Sequence, residues 1–348
     1  MKVLVTGHDG YIGCVLVPML QKHGHEVVGL DSGLFIGCEF EDPALACETI
    51  RADVRDVPEE ELVGFDAIIH LAGISNDPLG DLNPQCTYDI NHLASLRLAQ
   101  LAKKVGVPRF LHSSSCSLYG AAGQDAVTEN ATFNPVTPYG ESKEFVERDV
   151  APLADENFHP TFLRNATAYG LSPRLRGDLV VNNLTGYAMT TGKVLLRSDG
   201  TPWRPLVHIE DISLAFLAVL HSPVEKIHNE AYNVGLTSEN YQMKDVARIV
   251  EEVVPGSKVT FDEGAGPDKR CYKVSCDKIV NELPEYQPRW TVRKGVEQLY
   301  EAYKAHGLTL EEFESSRYLR IKHIDGLQQS GQLDAELRWA NDMARSRS

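Results

Sequence analysis

The stretch that decides the fold is Lys2-Val3-Leu4-Val5-Thr6-Gly7-His8-Asp9-Gly10-Tyr11-Ile12-Gly13. Its first part, Lys2–Thr6, is a short β-branched run of the kind found in a buried parallel strand. The glycines follow at once, and Tyr11–His23 has the apolar spacing of a helix. A Gly-rich turn between a strand and a helix lets the backbone approach a pyrophosphate, and the helix N-terminus adds N–H groups and a positive dipole. The stretch therefore predicts the start of a dinucleotide-binding α/β fold.

The second predicted strand, Glu26–Leu30, ends at Asp31. A carboxylate at the end of this strand can hydrogen-bond both ribose hydroxyls of an adenosine, and it repels a 2′-phosphate. The predicted cofactor is therefore NAD rather than NADP. The alternative interpretation is that Asp31 only caps a loop.

Further buried strands are predicted along the N-terminal half, near Thr49–Ala52 and at Ala67–Leu71 and Phe110–Ser113. A long amphipathic helix is expected over Tyr88–Val105. Alternating strands and helices with short loops indicate a doubly wound parallel sheet, in which ligands lie beyond the C-terminal strand ends. Asp53 at such an end can reach an adenine amino group.

A second motif, Tyr139-Gly140-Glu141-Ser142-Lys143, has the spacing of an acid/base pair. On a helix, Tyr139 and Lys143 share one face, and Pro138 fits the first turn of a helix that starts here. An ammonium near a phenol favours the phenolate and lowers the pKa of the tyrosine. The alternative is that the two side chains decorate a solvated face.

Composition limits the possible functions. With 348 residues the chain is long enough for a full α/β domain plus a smaller one. Its formal net charge of −15 argues against partners such as nucleic acid or an anionic membrane. Seven cysteines are scattered without a C-x-x-C pair or zinc-site spacing, so we expect reduced thiols, no metal and a cytoplasmic protein. The N-terminal apolar run is too short for a signal peptide or a membrane span.

Several motifs occur in a fixed order over roughly residues 1–300. They are Gly7-x-x-Gly10-x-x-Gly13, Asp31, Leu71-Ala72-Gly73, Asn91, Ser113–Gly120, Tyr139-x-x-x-Lys143 and Arg204-Pro205-Leu206-Val207-His208. In this order and spacing the chain resembles an extended short-chain dehydrogenase/reductase, and more narrowly the NAD-dependent nucleotide-sugar epimerase/dehydratase group.

The resemblance implies NAD as cofactor and Tyr139 as the catalytic acid/base, with Lys143 orienting the ribose and lowering the tyrosine pKa. It also implies a serine that hydrogen-bonds the reacting sugar oxygen. Counting back from Tyr119-Gly120 identifies this serine as Ser115, with Ser114 as the alternative. The cofactor-binding residues that it implies are Gly7, Gly10, Tyr11, Ile12, Gly13, Asp31, Asp53, Val54, Leu71, Ala72, Gly73, Asn91, Ser113, Tyr139 and Lys143.

The two positions after Ser115 bear on the reaction. In the resembled group, 4,6-dehydratases usually carry acidic residues there, 4-epimerases carry small uncharged ones, and 3,5-epimerases use a cysteine nearby. This chain has Cys116 and Ser117, which favours a 4-epimerase over a dehydratase. The cysteine of the 3,5-epimerases would align with Ser117. For Cys116 we therefore favour a packing role over a catalytic role.

The resemblance also implies substrate contacts, mostly in the C-terminal half. The candidates are Ser115, Cys116, Ser117, Asn165, Asn182, Asn183, Arg204 and Arg270. Arg204 and Arg270 are expected to bind a diphosphate, because a guanidinium binds phosphate in bidentate fashion. Asn183 is preferred over Asn182, and a structural role is the alternative for Asn165.

We expect an α/β fold with a Rossmann-type doubly wound parallel sheet and a smaller C-terminal α/β substrate-binding domain. Residues 1–170 would form the NAD-binding domain, to which 205–235 returns, and 171–310 would form mainly the substrate-binding domain. Helical spacing at Leu327, Leu333 and Leu337 predicts that 311–348 is a helical extension. It would cover the substrate domain or reach a second subunit.

The predicted function is therefore an NAD-dependent 4-epimerase that acts on a nucleotide-diphosphate sugar through a transient 4-keto sugar, in a homodimer as is common in the resembled group. The alternatives are a 4-ketoreductase or dehydrogenase, then a 3,5-epimerase or 4,6-dehydratase. A non-catalytic NAD-binding sensor is a different class, and the intact Ser115, Tyr139 and Lys143 argue against it.

Overall fold

The computed structural model describes residues 1–43, 46–75, 83–266, 271–340 and 346–347. Its strands are β1 (Lys2–Thr6), β2 (Glu26–Asp31), β3 (Glu48–Arg51), β4 (Ala67–His70), β5 (Arg109–Ser115), β6 (Ala121–Val127), β7 (His159–Asn165), β8 (Thr167–Tyr169), β9 (Lys193–Ser198), β10 (Trp203–His208), β11 (Glu230–Val234), β12 (Asn240–Gln242), β13 (Lys258–Gly266), β14 (Cys271–Val274) and β15 (Ser346–Arg347).

The α-helices are α1 (Gly13–Lys22), α2 (Pro84–Tyr88), α3 (Ala94–Lys104), α4 (Pro138–Val150), α5 (Val180–Thr191), α6 (Ile209–His221), α7 (Val224–Ile227), α8 (Met243–Val253), α9 (Asp277–Glu282), α10 (Val292–His306), α11 (Leu310–Phe313) and α12 (Arg320–Gln329). A π-helical turn, Asp89–Leu93, joins α2 to α3. Within the described ranges, none of the helices combines the length and apolar character needed to span a bilayer.

Seven parallel strands form the central sheet in the order β11-β7-β5-β4-β1-β2-β3, and β15 adds an antiparallel strand beside β3. From β1 the chain first builds outward through β2 and β3, then returns to place β4 on the other side of β1. This reversal is the switch point at which doubly wound sheets bind ligands. The Rossmann-type α/β fold expected from the sequence is confirmed.

The register of the sheet aligns the C-terminal ends of its central strands. Thr6 of β1 is paired with Leu30 of β2 on one side and with His70 of β4 on the other, and His70 is paired with His112 of β5. The residues that follow these paired positions, and so meet along one edge, are Gly7, Asp31, Leu71 and Ser113.

Apolar side chains cover both faces of the sheet, as is usual for parallel strands. Val3 belongs to the core that includes Phe216 of α6, whereas the next residue, Leu4, belongs to the core that includes Leu98 of α3. Successive strand residues point to opposite faces, so one continuous apolar run serves both cores.

The second half of the chain contributes to two parts of the molecule. α6 packs on the central sheet and β11 forms its edge. β10, in contrast, pairs with β8 and β12 in a separate three-stranded sheet, so the return expected from residue 205 starts later, with α6. A third apolar core joins α5, α8 and α10.

The C-terminal extension is only partly helical, which corrects the expectation for 311–348. After α12 the chain makes a tight turn, in which the Asp334 carboxylate accepts hydrogen bonds from the N–H groups of Glu336 and Arg338. Leu337 has φ of 57°, a conformation that does not continue a right-handed helix. Of the three leucines that suggested a helix, Leu327 lies in α12, whereas Leu333 and Leu337 pack in the core from the segment that follows it.

The extension contacts two parts of its own chain, one on the predicted substrate side of the site and one on the predicted cofactor side. Phe313 packs in the core that includes α5, and Trp339 Nε1 donates a hydrogen bond of 2.9 Å to the carbonyl of Ser32, just after β2. The extension thus covers part of the cofactor side of the fold as well as part of the substrate side.

Candidate active site

The Gly-rich turn is packed so tightly at Gly7 and Gly13 that a side chain would not fit at either position. Gly7 has φ of 72°, and a Cβ placed there would lie 2.8 Å from the backbone nitrogen of Ala72. A Cβ on Gly13 would lie 2.2 Å from the carbonyl oxygen of His8, and one on Gly10 would lie 3.1 Å from that of Gly7. The turn leads directly into α1, so its backbone forms the kind of cradle that accepts a diphosphate.

Asp31 stands beside this turn at the end of β2. Its Oδ1 accepts a hydrogen bond of 2.7 Å from the N–H of Gly33, and its Oδ2 accepts one of 3.3 Å from the N–H of Asp9 in the turn. Arg51 Nη1 lies 3.9 Å from Oδ1. These contacts hold the carboxylate next to the cradle, where the predicted ribose contact requires it.

Asp53 and Val54 begin a short 3₁₀ turn, and both have structural partners. The Asp53 carboxylate accepts hydrogen bonds from the Arg55 backbone and guanidinium, including 2.9 Å from the N–H and 3.0 Å from Nε. Although burial favours the neutral acid, Arg55 lowers the pKa of Asp53 below its usual value. Val54 is buried. Contact between Asp53 and an adenine stays a prediction.

Leu71, Ala72 and Gly73 follow β4 at the same edge of the sheet. Asn91, in the π-helical turn, fastens this loop: its Oδ1 accepts 2.7 Å from the N–H of Ile74, and its Nδ2 donates 2.9 Å to the Ile74 carbonyl. Nδ2 also lies 3.2 Å from Ser142 Oγ in α4. Asn91 is buried and fully engaged, so the structure gives it a positioning role in place of the predicted direct contact to the cofactor.

The Tyr139–Lys143 motif lies on a helix, as its spacing predicted. Thr137 caps α4 by accepting a hydrogen bond of 3.2 Å from the N–H of Gly140, and Pro138 is the first helical residue. Lys143 Nζ lies 5.7 Å from the centre of the Tyr139 ring and donates 2.7 Å to the carbonyl of Ser113. Burial lowers the pKa of Lys143 to about 8. The helix thus places an ammonium between the phenol and the end of β5.

Ser115 ends β5 and lies on the same face as Ser113, since residues two apart in a strand share a face. Its Oγ accepts 3.1 Å from the N–H of Ser117 and 2.9 Å from the Ser117 hydroxyl. Ser114 points the other way and donates 2.5 Å to Glu147 Oε1. The geometry favours Ser115 over Ser114 as the serine that faces the site.

Cys116 is fully buried in the core, and its Sγ lies 3.1 Å from the carbonyl oxygen of Arg164. Burial raises the pKa of its thiol well above the usual value. The predicted substrate contact of Cys116 is therefore wrong, and the packing interpretation accounts for this residue. Burial follows from its position, because Cys116 begins the 3₁₀ turn after β5 and packs in the apolar core that includes Leu111.

A buried ion pair connects α4 to the central sheet. Arg164 of β7 pairs with Glu147, with Nη2 2.6 Å from Oε2, and both side chains are 7% exposed. Arg164 Nη1 also donates 2.9 Å to the hydroxyl of Tyr119. This network ties the helix of the acid/base motif to two strands of the sheet and to the turn after Ser115.

Asn165 lies at the end of β7, beside β5. Its Nδ2 donates 3.0 Å to Ser113 Oγ and 3.3 Å to the carbonyl of Ser114, whereas its Oδ1 is buried without a hydrogen-bond partner among the described residues. The amide nitrogen is structural, and the free acceptor leaves the predicted substrate contact of Asn165 as a prediction.

Asn182 is fully buried and not available to a substrate, which corrects its prediction. Its Oδ1 accepts 2.9 Å from the N–H of Gly170, and its Nδ2 donates to the carbonyl of Arg176 at 3.0 Å and contacts the Tyr11 hydroxyl at 3.3 Å. Tyr11 in turn donates 2.7 Å to the Gly170 carbonyl, so its ring links the Gly-rich turn to β8. Asn183 is half-buried and donates 2.7 Å to the carbonyl of Gly177.

Arg204 is buried in β10, 5.7 Å from the centre of the Tyr272 ring, and donates 3.0 Å to the carbonyl of Trp203. Its role as a diphosphate ligand stays a prediction. Arg270 lies outside the described residues.

Sequence reasoning missed two arginines that reach the site. Arg174 Nε donates 2.9 Å to the carbonyl of Asp9, and its Nη2 lies 2.6 Å from the Asp9 carboxylate. Arg176 pairs with Asp178 at 2.6 Å and donates 2.9 Å to Ser75 Oγ, after β4. The available signal was the run Pro173-Arg174-Leu175-Arg176, because two closely spaced arginines that follow a strand end in an acidic chain are candidates for anion binding.

Comparison with known proteins identifies the family. Residues 3–235 match the model of the NAD dependent epimerase/dehydratase family, and this chain belongs to that family. The resemblance inferred from the motifs is confirmed.

Individual relatives are named for different reactions. A UDP-glucose 4-epimerase of Corynebacterium glutamicum is 31% identical over 268 residues, covering 73% of this chain and 80% of that protein. UDP-glucuronic acid decarboxylase 1 of Arabidopsis thaliana is 26% identical over 326 residues, covering 90% and 72%. The structure of a UDP-glucuronic acid 4-epimerase from Bacillus cereus, with UDP-glucuronic acid and NAD, matches with a TM-score of 0.73 at 26% identity, covering 88% and 99%.

The protein is therefore an NAD-dependent enzyme that modifies a nucleotide sugar. The residues fit NAD, since Gly7 and Gly13 let the backbone of the turn pack closely at the start of α1, and the Asp31 carboxylate stands beside the turn.

Proposed function

We propose that the enzyme is a nucleotide-sugar 4-epimerase that works through a transient 4-keto sugar. The proposal is carried by the two residues after Ser115: Cys116 is a buried thiol, and Ser117 donates its hydroxyl to Ser115. Neither is a carboxylate that could take a proton from carbon, as elimination of water requires. The site is equipped for proton transfer at a hydroxyl.

Tyr139 accepts the proton of the sugar hydroxyl, and Ser115 donates to the oxygen as it becomes a carbonyl. Lys143, held by the Ser113 carbonyl, keeps a positive charge near the phenol. NAD, when bound, supplies the acceptor and donor of the hydride. Once the keto sugar has turned over, Tyr139 returns the proton, and the net reaction consumes no cofactor.

We propose that Arg204 binds the diphosphate of the nucleotide sugar and that Asn183 contacts the substrate nearby. The charge of Arg176 bears on which sugars the site accepts. Its guanidinium donates a hydrogen bond to Ser75 Oγ and interacts electrostatically with Tyr139. Its partner Asp178 offsets this charge, so neutral and uronic sugars are both suitable test substrates.

The test is incubation in D₂O with UDP-glucose, UDP-galactose and the corresponding uronic acids, followed by NMR. One pair of 4-epimers should interconvert without net NADH and without solvent deuterium at C5. Tyr139→Phe should lower the rate by about 10³-fold, as loss of a general acid/base does. Tyr300→Phe, a matched change on α10, should leave the rate unchanged.

Deuterium at C5 would contradict the proposal, because it requires a base that acts on carbon. Net NADH would identify a dehydrogenase. Turnover that occurs only with an added 4-keto sugar and NADH would identify the ketoreductase, which the same three residues can also support.

A further inference from the structure

Residues 332–340, which we call the C-terminal turn, form a compact segment after α12. Leu333 and Trp339 pair there as an antiparallel bridge. Leu333 and Leu337 are buried in the apolar core that also contains Ile50 of β3. Apolar packing therefore docks the C-terminal turn on the fold and holds its backbone carbonyls in fixed positions.

One part of the extension is fastened to the loop that follows β2. Trp339 Nε1 donates a hydrogen bond of 2.9 Å to the carbonyl of Ser32, the residue directly after Asp31. His323 Nε2, in α12, lies 2.8 Å from the carbonyl of Leu34 in the same loop. The loop that begins after Asp31 is therefore held by the extension.

The C-terminal turn is also fastened to the segment that follows β3. Arg55 Nη1 donates 2.7 Å to the carbonyl of Glu336, and its Nη2 lies 3.4 Å from the carbonyl of Leu337. The same guanidinium pairs with the Asp53 carboxylate at 2.5 Å. Arg55 thus joins the C-terminal turn to the carboxylate that is predicted to reach the adenine.

A further contact is made with the start of α2, in the segment that follows β4. Asn83 Nδ2 donates 2.9 Å to the carbonyl of Ala335. Cys86 is buried, and its Sγ lies 3.3 Å from the carbonyl oxygen of Glu336. The C-terminal turn therefore bonds to segments that follow β2, β3 and β4, all at the edge of the sheet where a dinucleotide binds.

In a fold of this type the diphosphate lies at the Gly-rich turn, and the adenosine extends toward the acidic residue at the end of β2. We propose that the C-terminal turn closes the adenosine end of the NAD site and positions the loops that carry Asp31 and Asp53. The cofactor then leaves only when the C-terminal turn undocks, and bound cofactor stabilises the docked state. Retention of NAD in this way does not depend on which reaction the sugar undergoes.

Cys86 provides a probe of docking that needs no turnover. Its thiol lies against the Glu336 carbonyl, burial raises its pKa to about 11, and alkylation requires an exposed thiolate. Cofactor-stripped protein is treated with iodoacetamide, and mass spectrometry of its peptides gives the alkylation rate at each cysteine. NAD at about ten times its Kd should slow the reaction of Cys86 about tenfold, because only undocking exposes this thiol.

Two fragments of the cofactor locate the effect. ADP, which contains the adenosine, should also slow alkylation of Cys86, whereas nicotinamide mononucleotide, which lacks it, should not. Cys47 is the internal control, since this half-buried thiol precedes β3 at the opposite end of the strand from Arg55. Its alkylation rate should be the same with and without each ligand.

Two substitutions weaken docking from different sides. Trp339→Phe removes the indole N–H that donates to Ser32. Asn83→Asp removes the donor to Ala335 but still offers an acceptor to the N–H of Cys86, which Asn83 caps. Each should raise the alkylation rate of Cys86 and the dissociation rate of NADH, followed by its fluorescence in stopped-flow displacement, by a similar factor of about two to ten, as expected for one neutral hydrogen bond.

Trp290→Phe is the matched control, because it also loses an indole hydrogen bond, to Glu210 in the C-terminal half. It should leave both rates unchanged. Dissociation of NADH at the wild-type rate from both folded variants, Trp339→Phe and Asn83→Asp, would overturn the proposal, since the C-terminal turn would then only stabilise the fold. Equal protection of Cys86 by nicotinamide mononucleotide would also overturn it. So would faster alkylation in the presence of NAD, which would show that the C-terminal turn occupies the place of the cofactor.

Discussion

Ser115 and Cys116 are adjacent in the chain but have different surroundings, because β5 ends at Ser115 and Cys116 begins the 3₁₀ turn that follows. Ser115 shares the face of Ser113, whose carbonyl accepts from Lys143. Cys116 enters the core beneath, against the carbonyl of Arg164. A polar residue at the site and a packing residue are thus separated by one peptide bond.

We predict that Cys116→Ala changes kcat by less than about twofold and lowers the free energy of unfolding by about 1 kcal/mol, since it removes one buried sulfur from a packed core. Ser115→Ala should instead lower kcat by about 10² or more with little effect on stability, because a donor to the developing charge is lost. Steady-state kinetics and urea unfolding measure both effects. A large loss of kcat in Cys116→Ala would restore a catalytic cysteine.

At the scale of elements, the Gly-rich turn shows how backbone packing prepares a ligand site. The turn joins β1 to α1, and the loop after β4 approaches it from the side at Ala72. A helix start and two strand ends therefore meet where side chains are excluded. The helix N-terminus is presented as bare N–H groups, which is the arrangement that binds phosphate.

Gly13→Ala should disrupt this arrangement, because its Cβ would lie 2.2 Å from the His8 carbonyl oxygen. We expect NAD affinity to fall at least about tenfold, since the backbone must move away from the phosphates. Gly326→Ala is the control: its Cβ would meet nothing within 4 Å in α12, and we expect a stabilisation of about 0.5–1 kcal/mol. Fluorescence titration with NAD and thermal unfolding compare the two. Unchanged NAD affinity in Gly13→Ala would contradict this account of the turn.

For the whole molecule, histidines buried in the neutral form determine the response to acid. His70, bonded to Thr6 and Ser95, lies in the central sheet, and burial lowers its pKa to about 3. His208 stacks on Trp290 at 3.8 Å in the C-terminal half, and burial lowers its pKa to about 4. Burial also lowers the pKa of His112 well below its usual value.

We predict that the free energy of unfolding falls between pH 7 and pH 5. The unfolded chain binds protons at these histidines from about pH 6.5 downward, whereas the folded chain does not, so stability is present above that pH and is lost below it. His208 alone contributes roughly 2 kcal/mol over this range. Asp211 offsets part of the loss, because burial raises its pKa to about 6 and the folded chain takes up a proton there.

The measurement is urea unfolding at pH 7, 6 and 5, with His112→Leu for comparison. Both ring nitrogens of His112 lack hydrogen-bond partners among the described residues, so the replacement removes a titrating group without breaking a bond. The variant should lose less stability than the wild type between pH 7 and pH 5. Parallel pH curves for the two proteins would show that buried histidines do not control the acid response.

The sequence by itself determined the features whose physics acts within a few residues. The strand Lys2–Thr6, the glycine spacing, Asp31 at a strand end and the helical spacing of Tyr139 and Lys143 all lie where their local patterns predict. Each depends on strand alternation, helix periodicity or glycine geometry, which a short stretch of chain contains in full.

Only the tertiary structure decided which polar residues face the site. The Asn182 side chain is hydrogen-bonded to Tyr11 and Gly170. The C-terminal extension turns back after α12 instead of continuing as a helix, and Arg320 of this extension contacts the Phe35 ring. These contacts join residues that are separated in the chain, and most of them depend on how α5 and the extension pack against other parts of the molecule. A buried amide and a ligand-binding amide have the same local sequence signal, so burial separates them only once the chain has folded.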